Sequence, residues 1–72
     1  MSEMIGTVVR VVGPIIDVRF AEGELPPLFS VVLVQADGRR LCAEVLSHPD
    51  SERVRCIALG ASEGVKRGAK AA

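Results

Sequence analysis

The sequence predicts an all-β fold, a small antiparallel barrel or strongly curled sheet of five to six strands. Three observations carry this. Val and Ile dominate the apolar residues, and both are stiff at χ1 and suit a pleated surface. Apolar and polar residues alternate with period two through several short runs. Gly, Pro and Asp-Gly turn signals punctuate those runs at close spacing, the pattern of small barrels.

Taken in order, the first strand is expected near residues 5–12, where Gly6 opens the run Thr7-Val8-Val9-Arg10-Val11-Val12. Arg10 faces away from Val9 and Val11, which puts those two inside. Gly13-Pro14 is too short for a long connection and reads as a tight turn or bulge. The second strand follows at 15–20, with Ile16, Val18 and Phe20 on one face and Asp17 and Arg19 on the other. Residues 21–30 are Pro-rich, and Pro26 and Pro27 cannot donate to a ladder. Within that segment Leu25, Leu28 and Phe29 are expected to plug one end of the core.

The clearest hairpin joins strands at 31–36 and 39–46 through Asp37-Gly38, a dipeptide that tolerates the positive φ of a type I′ turn. Pairing Ala36 with Arg39 sets Val34 opposite Leu41 and Val32 opposite Ala43. One apolar face of Val32, Val34, Leu41, Ala43 and Val45 results. Gln35, Arg40, Cys42 and Glu44 then lie on the solvated face. Residues 47–52 are a polar turn in which His48 beside Pro49 is an exposed turn residue. The fifth strand spans 53–59, with Val54, Cys56 and Ala58 inward and Arg55, Ile57 and Leu59 outward. A strand apolar on both sides implies a cover from elsewhere. From residue 60 to 72 the strand pattern is lost, so a sixth strand is expected to be missing and the sheet to retain an open edge, a pairing liability.

Composition excludes several function classes. A chain of 72 residues is one small domain, burying only about 60% of its unfolded surface, so help from partner chains would be unsurprising. At 49% hydrophobic and 25% charged it is globular. Nine basic residues balance nine acidic ones, and there are two Phe with no Tyr or Trp. Neither a basic face nor base-stacking aromatics is evident, so no nucleic-acid partner is expected. Met1-Ser2-Glu3-Met4 starts no signal-like pattern, and the apolar runs fall far short of the roughly 20 residues that span a bilayer. The reading is a soluble cytosolic chain without direct membrane insertion. Cys42 and Cys56 with one His make no metal set; both cysteines read as small reduced packing residues.

No constellation supplies chemistry. Gly60, Gly64 and Gly68 share the spacing of a membrane-helix motif, but Glu63, Lys66 and Arg67 interrupt it. A phosphate loop needs Gly-Lys-Ser/Thr, whereas Gly64 precedes Val65-Lys66-Arg67, so these are turn glycines. No carboxylates are paired for acid–base work, and Ser47 beside His48 lacks an orienting third group. The chain is expected to hold or dock something, with no catalytic residue, cofactor or metal.

Four segments in this order carry a resemblance: residues 6–20, Leu25-Pro26-Pro27-Leu28, Leu41-Cys42-Ala43-Glu44-Val45, and residues 54–68 (Val-Arg-Cys-Ile-Ala-Leu-Gly-Ala-Ser-Glu-Gly-Val-Lys-Arg-Gly). Together they resemble the amino-terminal β-barrel domain of the β subunit of F-type (rotary) ATP synthases over residues 5–68. The stretch from Val54 to Gly68 is the specific one and favours the β over the α subunit. The resemblance implies a six-stranded barrel at the membrane-distal end of the α/β hexamer. Neighbouring α-subunit barrels are the implied partners, in a ring that holds the head together. It implies a complex peripheral on the cytoplasmic face of an energy-transducing membrane, coupling ion transport to ATP synthesis. The family's nucleotide site lies in a following domain, and none of its residues occurs here. Cys42 and Cys56 depart from the family's β-branched residues at those positions. The chain is expected to be a truncated domain, ending about where the approach to the family's sixth strand begins.

Two docking readings follow. In the first, the chain is an assembly domain whose outward charges Arg10, Arg19, Glu44 and Arg55 are candidate inter-subunit contacts. In the second, it is a free-standing small barrel, a well-folded monomer that binds a peptide or strand at its open edge, whereas the first implies marginal stability or self-association through that edge. A third, enzymatic reading requires redox-active cysteines.

Overall fold

The computed structural model describes residues 5–72; the start at Met1–Met4, where no signal pattern is expected, lies outside the described residues. Six strands form in chain order: β1 (Gly6–Val12), β2 (Ile15–Arg19), β3 (Val31–Ala36), β4 (Arg39–Ser47), β5 (Arg53–Ala58) and β6 (Lys70–Ala71). They close into an antiparallel barrel in the order β1-β2-β5-β4-β3-β6. The β3–β4 register follows the sequence pattern, with Ala36 opposite Arg39, Val34 opposite Leu41 and Val32 opposite Ala43. Val32, Val34, Leu41, Ala43 and Val45 are all buried. Together with Val8, Ile16, Val18, Phe20, Val54 and Cys56 they fill the interior, as inward residues of a small barrel must.

The barrel closes, contrary to the expected missing sixth strand and open edge. β6 is two residues long. Ala71 pairs with Gly6 of β1 on one side and Val34 of β3 on the other, and Ala72 exchanges both backbone hydrogen bonds with Leu33. Two residues carry no periodicity, so no pattern could reveal them. Tertiary bonds deliver them instead. Arg39 Nη2 donates to the carbonyls of Ala61 and Glu63 at 2.7 Å each, Ser62 Oγ donates to Gly13 O, and Gly68 N donates to Val8 O. Val65 sits in the core as a plug. The closed sheet removes the basis for peptide binding or self-association at an open edge, and with it the pattern argument for truncation.

Four smaller expectations are corrected. In β1 it is Val8, not Val9, that lies in the core. The β1–β2 register shifts between Val8 and Arg10, so Val9 is a bulge residue. The extra residue lets Val8 and Val11 both face inward across from Val18 and Ile16, with Arg10 outward. At the 21–30 loop, Leu25 packs against the core and Pro26 is buried, but Leu28 and Phe29 are exposed. Phe29 has φ of 68° and donates its N–H to Val45 O at 2.7 Å; this extra rung beyond β3 turns its ring outward. At the hairpin turn Gly38 takes φ of 71° while Asp37 keeps a negative φ. The turn is therefore not type I′: glycine alone takes the left-handed conformation that costs an L-residue. Finally, Cys42 is exposed rather than a packing residue, because it lies on the outward parity of β4.

Candidate docking face

The outer wall of β3, β4 and β5 carries an unusual load of apolar side chains. Direct ladder partners run from Val31 through Glu44, Ile57 and Ile15 to Val12 across five strands. The neighbouring row holds Leu33 opposite Cys42, with Leu59 N donating to Cys42 O at 2.9 Å. On the other side of the row Phe29 N donates to the carbonyl of Val45, the chain neighbour of Leu46, and Phe29 is 69% exposed. Val12, Val31, Leu33, Leu46 and Leu59 are likewise exposed. Singly exposed apolar residues are ordinary on a protein surface, but a contiguous stripe rimmed by charge marks a contact region.

The four charges singled out in the sequence go to different places. Glu44 stands in the apolar row, half-buried between Val31 and Ile57. Arg10 and Arg55 are both ladder partners of Asp17, but only Arg55 pairs with its carboxylate. Arg55 grips it with a fork, Nε donating to Oδ1 at 3.0 Å and Nη2 to Oδ2 at 3.2 Å. Asp17 was expected on the solvated face, yet it is 2% exposed: it does lie on the outer parity, but the guanidinium covers it. The paired hydrogen bonds that Arg55 donates to Asp17, and then the carboxylate's negative charge, hold the Arg55 proton more firmly than in a free guanidinium. Arg10, Asp17 and Arg55 line a shallow cleft of about 300 Å³ with Val12 and Ile15. Arg19 lies apart, facing Arg53.

Other expected features fall into place around this face. His48 Nε2 donates to Pro26 O at 2.8 Å, since a carbonyl can only accept, and so the exposed histidine staples the loop that presents Phe29. Asp50 is held below the usual carboxylate range, first by the Glu52 N–H and then by Arg53, which ties the 47–52 turn. Cys42 on the outer wall and Cys56 inside it point to opposite sides of the sheet, so they cannot be bridged without moving the backbone. Among the described residues no group of three His, Cys, Asp or Glu could hold a metal, and no helix is long and apolar enough to cross a membrane.

Residues 8–71 match the sequence profile described as the ATP synthase alpha/beta family, beta-barrel domain. The chain belongs to the ATP synthase alpha/beta family. The matched span runs from the first core residue, Val8, through the closing strand residue, Ala71, and so covers the barrel as the structure draws it. The barrel domain of this family is non-catalytic; the full-length complex is an ATP synthase.

The sequence reading found the charges but missed most of the apolar stripe. Ile57 and Leu59 were visible as outward apolar residues on β5. Val31 and Leu33 carry the same signal: they occupy the outward parity of a strand whose inward residues, Val32 and Val34, are equally apolar. Reading both faces of β3 would have located the stripe.

Proposed function

We propose that this domain is the assembly barrel of the β (catalytic) subunit of an ATP synthase. Its outward apolar face packs against the neighbouring α-subunit barrels, one stave in the ring that holds the α/β hexamer together. The parent complex, in this reading, lies on the cytoplasmic face of an energy-transducing membrane and couples ion transport to ATP synthesis and hydrolysis. The observation that supports it is the stripe of Phe29, Val31, Leu33, Leu46 and Leu59 on a barrel that is already closed and filled. A closed barrel needs no outer apolar wall for its own folding, so the stripe serves contact with another chain. The resemblance of the Val54–Gly68 segment favours the β over the α subunit.

The test mixes the domain with the barrel domain of an α subunit and follows association by analytical ultracentrifugation. The expected result is a mixed complex that Leu33→Lys with Leu59→Lys abolishes without lowering the melting temperature. Association left intact by these changes, or micromolar binding of Mg-ATP to the isolated domain in calorimetry, would sink the proposal.

A further inference from the structure

Five of the nine cationic side chains line one open groove of about 560 Å³: Arg10, Arg19, Arg53, Lys66 and Arg67, over a floor of Val9, Val11 and Val65. No carboxylate lines it. A chain of zero net charge therefore gathers more than half its positive charge at one place. Part of this arrangement works against the fold. Arg19 and Arg53 are direct partners across the β2–β5 ladder, where opposite side chains stand about 5 Å apart at Cβ and like charges destabilise. Asp50 pairs with Arg53 at 2.8 Å, but among the described residues no acid lies in ion-pair reach of Arg10, Arg19, Lys66 or Arg67.

We propose that this groove binds an acidic segment of a partner protein. Guanidinium groups take carboxylates in forked pairs, and cations drawn from β1, β2, β5 and the segment between β5 and β6 suit a row of carboxylates better than one compact anion. Val9, Val11 and Val65 line the groove between these cations. Nucleic acid is the poorer match, because no aromatic ring lines the groove for base stacking. The inference is independent of the subunit assignment, since the groove shares no residue with the Phe29–Val31–Leu33–Leu46–Leu59 stripe.

The experiment uses a fluorescent peptide of about ten glutamates as probe, read by anisotropy at low salt. The expected result is saturable binding that weakens with added sodium chloride and falls by about tenfold or more in Arg19→Glu with Arg67→Glu. Arg19→Glu removes the like-charge pairing, so thermal melts should show its stability kept or raised, and lost binding cannot then reflect unfolding. Reversal of Arg40, which lies on β4 away from the groove, should leave binding within about twofold. Absence of binding, an equal loss in Arg40→Glu, or inorganic tripolyphosphate displacing the peptide at lower concentration than unlabelled peptide would each overturn the proposal.

Discussion

Cys56 lies inside the barrel, opposite Ile16 on β2 and Val45 on β4, whereas Cys42 stands exposed on the outer wall. Burial first, and then the charge of Asp17, pushes the Cys56 thiol from 9.0 up to about 11. Between those values an unfolded chain ionises its thiol while the native one keeps its proton. The native state then binds more protons, so this contribution is full below pH 9 and is lost as pH rises toward 11. Stability measured by urea denaturation should therefore fall from pH 8 to pH 10.5 in the parent, and fall less steeply in Cys56→Ala. At pH 8 a thiol reagent should titrate Cys42 at once and Cys56 only after denaturant is added. Two thiols reacting at equal speed in the native state would contradict the buried placement.

At the scale of elements, closure rests on two residues. Ala71 is 1% exposed and points inward, while Lys70 is exposed on the outside. Ala71→Asp would place a carboxylate in the barrel with no cation to meet it, a cost of about 3 kcal/mol or more. Lys70→Asp on the other face of the same strand should change stability by about 0.5 kcal/mol or less. Urea titration checks both, and hydrogen exchange should show the β1 and β3 amides next to β6 losing protection in Ala71→Asp. Equal stability of the two variants would mean that β6 does not close the barrel. The approach to this strand is built from tertiary bonds, from Arg39 to the tail carbonyls and from Ser62 to Gly13. Strand alternation, the signal that located the other five elements, cannot register it.

For the whole molecule, the core is small: among the described residues thirteen buried apolar residues form a single cluster. Domains of this size have little to lose from a total of about 5–15 kcal/mol. Ile16 is fully buried at the centre of the β1–β2–β5 wall. Ile16→Ala should cost about 2–5 kcal/mol and bring the domain to or below its folding threshold at 37 °C. Because the chain has no Trp or Tyr, far-UV circular dichroism is the suitable readout. A variant melting within a few degrees of the parent would show that the core relaxes into the cavity.

Much of this molecule is written in its chemistry of neighbours along the chain. Period-two alternation placed the interior of β2 through β5, and the Asp37-Gly38 turn set the β3–β4 register, because one buried face leaves only one parity without burying polar side chains. Single-residue slips in that alternation were invisible: the bulge at Val9 exchanges which valine faces the core, and only pairing with β2 decides it. Burial of Asp17 under Arg55, separated by 38 positions, depends on which strands lie side by side. So do the closing strand, the outer apolar stripe and the basic groove, each assembled from residues distant in sequence. Local residue types therefore determined that this chain forms strands and which faces are apolar. Long-range pairing alone decided that the sheet closes, and thereby turned the leftover outward residues into surfaces for other molecules.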